Sequence, residues 1–193
     1  NHVRSAMKNL ERLVVQELFM TETAKLAHVV LPAGCFFEKD GTFTNAERRV
    51  RRLNQAIPLP KGTKHDWEII CLIANAMGYP MHYNHPGEIM VEIASLTPEF
   101  AGIDFKRLEG DGLVWPVWDK KHPGTPILHK DTFTRGKGRF NDLLYTPSEE
   151  LPDDSYPLCL TTGRRLYHYN NGSMSLRNPE IYSISSEEFV EIH

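Results

Sequence analysis

The sequence predicts an α/β chain in three stretches: the end of a doubly wound sheet region over 1–96, an irregular connection over 97–154, and the start of a β domain over 155–193. Three observations predict it. Helix-like and strand-like apolar patterns alternate through residues 2–31, the rhythm of a sheet whose strands are joined by helices. Beyond residue 96, prolines and glycines recur and periodicity fades, as in a connection between domains. Residues 156–161 then read as a strand start in turn-rich surroundings.

In chain order, Val3, Ala6, Met7, Leu10 and Leu13 recur at helical spacing. The apolar run 13–18 has the pattern of a buried parallel strand. Thr21 can cap a short helix over 22–27, with the Glu22 carboxylate favourably placed in its first turn. A second apolar strand, 28–31, stops at Pro32, which has no N–H to give. Gly34 and Gly41 mark 33–45 as a loop leading into Thr42-Phe43-Thr44. Four arginines surround Val50 over 48–52, and Pro58, Pro60 and Gly62 mark a turn. An amphipathic helix is predicted over 66–77, with Trp67, Ile70, Cys71, Ile73, Ala74 and Met77 on one side and Gly78 and Pro80 after it. A further helix over 86–96 would bury Ile89, Met90 and Ile93. Residues 149–154 read as a solvated acidic turn, and 189–193 as a strand.

Composition narrows the function classes. The apolar fraction of 40% and charged fraction of 24% are ordinary for a soluble globular protein. No apolar run approaches the roughly 20 residues of a membrane helix, so direct membrane insertion is not expected. A net charge of −3 gives no global basic field for nucleic acid. Arg48, Arg49, Arg51 and Arg52 alternate around Val50 as on a strand with a charged outer face, and no aromatic nucleic-acid motif accompanies them. Cys35, Cys71 and Cys159 form no CxxC pair, which supports neither a zinc site nor a disulfide framework. His82, His85 and His122 lack metal-ligand spacing. The chain opens on Asn1 rather than Met, and both ends are expected to be cuts in a longer chain.

Three constellations could carry chemistry. Residues 38–49 follow the end of a predicted parallel strand, where open α/β sheets bind ligands, and their alternative is a plain hairpin with a charged tip. Asp66 opens the long helix, where a carboxylate caps or, alternatively, accepts two donors from a guanine base. Residues 160–174 gather Thr162, Gly163, Arg164, His168 and Tyr169: a glycine that frees backbone amides, a guanidinium fork for phosphate, and a histidine that donates or accepts by tautomer.

These constellations, in this order, resemble the molybdopterin oxidoreductase family, and within it the catalytic subunits of formate dehydrogenases. The motifs are 21–32, 38–49, Asp66-Trp67 with Ala76-Met77-Gly78-Tyr79-Pro80, Gly138-Arg139-Phe140, and Tyr156-Pro157-Leu158 leading to Thr161-Thr162-Gly163-Arg164, Leu166-Tyr167-His168-Tyr169 and Gly172-Ser173-Met174. The resemblance implies a Rossmann-like domain end over 1–96, a linker over 97–154, and the start of a C-terminal β-barrel domain over 155–193. It implies two molybdopterin guanine dinucleotides around one molybdenum or tungsten. Asp66 would bind a guanine, Thr162, Gly163, Arg164, His168 and Tyr169 would line a pterin or its phosphate, and residues 38–45 would lie near the funnel or the cofactor.

It further implies formate and carbon dioxide as substrate and product, iron–sulfur or other electron-transfer subunits as partners, and a cytoplasmic location with the periplasm as the alternative. The family's metal ligand, substrate arginine and iron–sulfur cysteines lie in earlier sequence, and none of the three cysteines matches them. No catalytic residue or metal ligand is therefore expected here, and the stretch alone is expected to be inactive. The rival readings are another member of the family, such as a nitrate reductase or arsenite oxidase, a cofactor-free subunit resembling the large electron-transfer subunit of respiratory complex I, and a nucleic-acid module.

Overall fold

A computed structural model describes residues 2–192. Two compact units, Asn1–Lys137 and Gly138–His193, divide the chain, with Asn1 and His193 themselves outside the described residues.

The first unit opens with helix α1 (His2–Lys8) and strand β1 (Val14–Glu17). A 3₁₀ turn at Ala24–Leu26 leads into β2 (Val29–Pro32). The helix predicted over 22–27 is thus a single tight turn, which the Thr21 hydroxyl caps by accepting the Ala24 N–H at 3.2 Å. β1 and β2 pair in parallel, Val14 opposite Val29 and Glu17 opposite Pro32. A lone parallel bridge between Ala33 and Lys64 continues past β2 and leads the chain into helix α2 (Asp66–Ala76).

β3 (Gly41–Thr44) and β4 (Arg49–Leu53) lie between those segments in the chain and form an antiparallel sheet with the later β5 (Leu113–Val114). β3 and β4 form the hairpin that the sequence offered as the plain alternative for residues 38–49. The predicted alternation holds at Val50, 1% exposed, and at Arg51, which faces solvent, whereas Arg52 turns inward with its side chain 12% exposed.

Val50 packs with Met90 of helix α3 (Pro86–Leu96), Ile103, Leu108 and Val117, flanked by Phe100, Phe105, Leu113 and Trp115. Burying one such side chain stabilises by about 1.5–3 kcal/mol. Residues 97–117, read from the sequence as linker, therefore belong to the core of the first unit. Periodicity is weak there because the segment folds as 3₁₀ turns, Pro98–Phe100 and Lys106–Leu108, and a two-residue strand rather than as long elements.

Gly112 makes the join possible. Its φ is +73°, and a Cβ would stand 2.2 Å from the Val50 carbonyl oxygen. On the helices, the expected faces shift. α2 buries Ile69 and Cys71 and exposes Ile70, Ile73 and Met77; α3 buries Met90 and exposes Ile93.

In the second unit the described residues contain no strand. The strand expected at 156–161 does not form, and a turn closes at its first residue, where Asp153 Oδ1 accepts the N–H groups of Ser155 (2.8 Å) and Tyr156 (2.7 Å). A strand needs a neighbouring edge for its backbone groups, and among the described residues no strand lies beside 157–161 to supply one. A 3₁₀ turn at Ser175–Arg177 runs into helix α4 (Pro179–Ile184), with Pro179 at its first position. The Asn178 side chain caps it by accepting the Ile181 N–H at 2.9 Å. Residues 189–192 form no strand, and His193 of the expected 189–193 strand lies outside the described residues.

Candidate functional site

Asp66, in the first unit, is the first residue of α2, at the carboxyl ends of the parallel strands. Its Oδ1 accepts from Gln16 Nε2 of β1 at 2.6 Å, and its Oδ2 pairs with the Lys39 ammonium. Capping falls to its neighbours instead: Glu68 Oε2 accepts the His65 N–H at 2.9 Å. Asp66 is thus a first-turn acid held between two side chains from earlier segments. Each carboxylate oxygen keeps a further acceptor position, so the group still offers two parallel acceptors to a ligand. His65 Nδ1 beside it is buried without a hydrogen-bond partner. Gln16 and Lys39 escape sequence reading because they lie 50 and 27 residues from Asp66, and only the closing of β1 and the 33–45 loop onto α2 brings them in.

The four arginines of 48–52 are committed to the fold. Arg48 donates to the carbonyl oxygens of Trp115, Thr125 (3.0 Å) and Pro126 (3.1 Å). Arg52 pairs with Asp40 at 3.2 Å and stacks 3.9 Å above the Phe105 ring. Arg49 pairs with Glu47, and Arg51 with Asp111. The run has partners all along its length, which removes its appeal as a phosphate-binding stripe. His85 is likewise structural, capping α3 by accepting the Gly87 N–H at 3.0 Å.

In the second unit, a cleft of about 540 Å³ gathers most of the residues singled out near 160–174. Thr162, Gly163, Arg164 and His168 line it, with Arg165, Asn170, Asn171 and Glu188. Its volume falls in the range of small-ligand sites, roughly 300–1,000 Å³. Two guanidiniums, two amide side chains and one carboxylate share the lining, so the donor set suits a ligand rich in anionic or carbonyl oxygens. Gly163 has open space where a Cβ would be. Tyr169 stands outside the lining: its ring is exposed and its backbone N–H goes to Ser175 Oγ at 3.3 Å. Arg165 was legible as a member of the run but not as a wall. Glu188 lies too far along the chain for any local pattern to include it.

Residues 1–76 match the family model described as molybdopterin oxidoreductase. The whole chain aligns, at 48% identity over 197 positions, with "F420-dependent formate dehydrogenase 2 subunit alpha" of Methanococcus maripaludis, of which it covers 29%. It is 47% identical to "F420-dependent formate dehydrogenase subunit alpha" of Methanocaldococcus jannaschii, again over all of this chain and 29% of the relative. A "putative formate dehydrogenase" of Staphylococcus aureus is 44% identical, with 20% of its length covered. The chain therefore spans less than a third of the length of these relatives.

Proposed function

We propose, on the premise that this chain belongs to the molybdopterin oxidoreductase family, that it is part of the alpha subunit of a formate dehydrogenase and helps to hold its pterin cofactor. The observation that carries this reading is the identity of 48% sustained along the whole chain with an alpha subunit so named. The donor-rich cleft supports it chemically.

In this reading residues 1–96 belong to the end of a Rossmann-like domain and residues 155–193 to the start of a β-barrel domain. The cofactor is a pair of molybdopterin guanine dinucleotides with molybdenum or tungsten, which supplies two-electron redox chemistry when bound. The chain's own residues bind and orient. Arg164, with Thr162 and Gly163 beside it, would meet phosphate or pterin oxygens. Asp66 would accept the two donors on the edge of a guanine, its carboxylate steadied by Gln16 and Lys39. No residue here is assigned a chemical step. Formate would be oxidised to carbon dioxide in the whole protein, and electrons would leave through iron–sulfur centres and companion subunits. The relatives' names make F420 the first acceptor to test. Among the described residues no helix is long and apolar enough to cross a membrane, and none of their histidine, cysteine and acidic side chains cluster as a metal site.

The test is made on the full-length protein. Released-pterin fluorescence, metal analysis and formate-dependent reduction of F420 or a dye should all be positive. A protein free of pterin would instead favour the cofactor-free scaffold. Replacing Asp66 by Ala should lower pterin and metal occupancy together, and unchanged occupancy would remove Asp66 from the site.

A further inference from the structure

Among the described residues of the second unit, Gly172 is the one buried position, and five more side chains are partly withdrawn from solvent. Four of those five are polar: Arg165, His168, Ser175 and Ser185, with Ile181 the fifth. Hydrogen bonds join all four. His168 Nε2 lies 2.7 Å from the Ser185 carbonyl oxygen. A carbonyl oxygen can only accept, so Nε2 carries the proton. Nδ1 lies 3.1 Å from Ser175 Oγ. In the neutral ring Nδ1 is then the acceptor, and the Ser175 hydroxyl donates to it while accepting the Tyr169 N–H at 3.3 Å. Arg165 Nη2 closes the set by donating to Ser185 Oγ. The bonds run in one direction, from Tyr169 through Ser175 and His168 to Ser185.

Both ring nitrogens of His168 are therefore used inside the chain, as is one arm of Arg165. Arg164 lines the same cleft with no hydrogen-bond or ion-pair partner among the described residues. We infer that Ser175 and Ser185 are positioning residues of this cleft: they hold His168 and Arg165 as its frame and leave Arg164 to meet the anionic oxygens of the ligand. This inference rests on the reading of the cleft as part of the cofactor site. It also alters the role of His168, from a hydrogen-bonding partner of the ligand to the pin that joins the 160–172 loop to the segment around Ser185. A binding site built on a loop depends on such support, because donors displaced by even an ångström lose their geometry.

The experiment compares full-length wild type with Ser175→Ala, Ser175→Thr and Arg164→Ala, reading pterin released per polypeptide and, as a folding control, circular dichroism. Ser175→Ala should lower pterin content by about three- to tenfold, the scale of one net hydrogen bond. Ser175→Thr keeps the hydroxyl and should restore it. Arg164→Ala should lower it at least as far as Ser175→Ala. Pterin content unchanged in Ser175→Ala, or equally low in Ser175→Thr with the fold intact, would overturn the positioning role. Absence of pterin from wild type would instead sink the cofactor-site reading beneath it.

Discussion

In the unit Asn1–Lys137 the side chains most removed from solvent are apolar, with Val50, Ile103, Leu108 and Val117 fully buried. In Gly138–His193 the innermost side chains are mainly polar, and Leu158, Leu160 and Leu166 stand exposed. Apolar burial stabilises in proportion to area and tolerates many partners, whereas a hydrogen-bonded knot contributes little net energy per bond but fixes direction. The first unit is therefore organised by a core. The second, held by Arg165, His168, Ser175 and Ser185, is organised by the cleft those residues frame.

The largest effect that could break this contrast is expected at Leu108, which is 0% exposed. Leu108→Ala should destabilise the first unit by about 2–5 kcal/mol, seen as a lowered denaturant midpoint, and a cost below ~1 kcal/mol would mean the cluster is not a working core.

A smaller, pH-dependent effect is expected at Asp104. Partial burial pushes its carboxyl upward, but hydrogen bonds from Lys120 (2.8 Å) and the Arg107 N–H (2.9 Å) outweigh that and hold it below the ordinary 3.8. With the folded value depressed, its contribution is complete above the ordinary carboxyl value and is lost as pH falls through the folded one. Stability measured from about pH 5 downward should thus fall less steeply in Asp104→Asn than in wild type, by under ~1 kcal/mol for so accessible a pair. Parallel curves would rule the pair out as a contributor.

The smallest effect sharpens the contrast from the other side. Leu166 is 89% exposed, and Leu166→Ala should change stability by no more than ~0.5 kcal/mol in thermal unfolding of this chain. A loss as large as that at Leu108 would give the second unit an apolar core after all.

Much of the first unit was legible because its signals are local. The strands at β1 and β2, the alternation of buried Val50 with exposed Arg51 and the helices at α2 and α3 follow from periodicity, proline and glycine. The buried faces of α2 and α3 were less legible, since which apolar residue is covered depends on what the tertiary fold lays against it. Residues 97–117 show the same limit more strongly. They carry no period, yet Ile103, Leu108 and Val117 complete the core because β5 adds to β4 through Gly112. In the candidate site, Thr162, Gly163, Arg164 and His168 were readable as one dense run and do line one cleft. Tyr169 does not, and its ring stands exposed.

The sequence by itself determined the order of local elements in the first unit and which residue types could meet a ligand, since each depends on neighbours in the chain. Tertiary structure alone decided the partners: Gln16 and Lys39 on Asp66, Ser175 and Ser185 on His168, and Leu113–Val114 on the edge of β4. The physical reason is that hydrogen bonds and packing act over a few ångströms of space, whatever the separation along the chain.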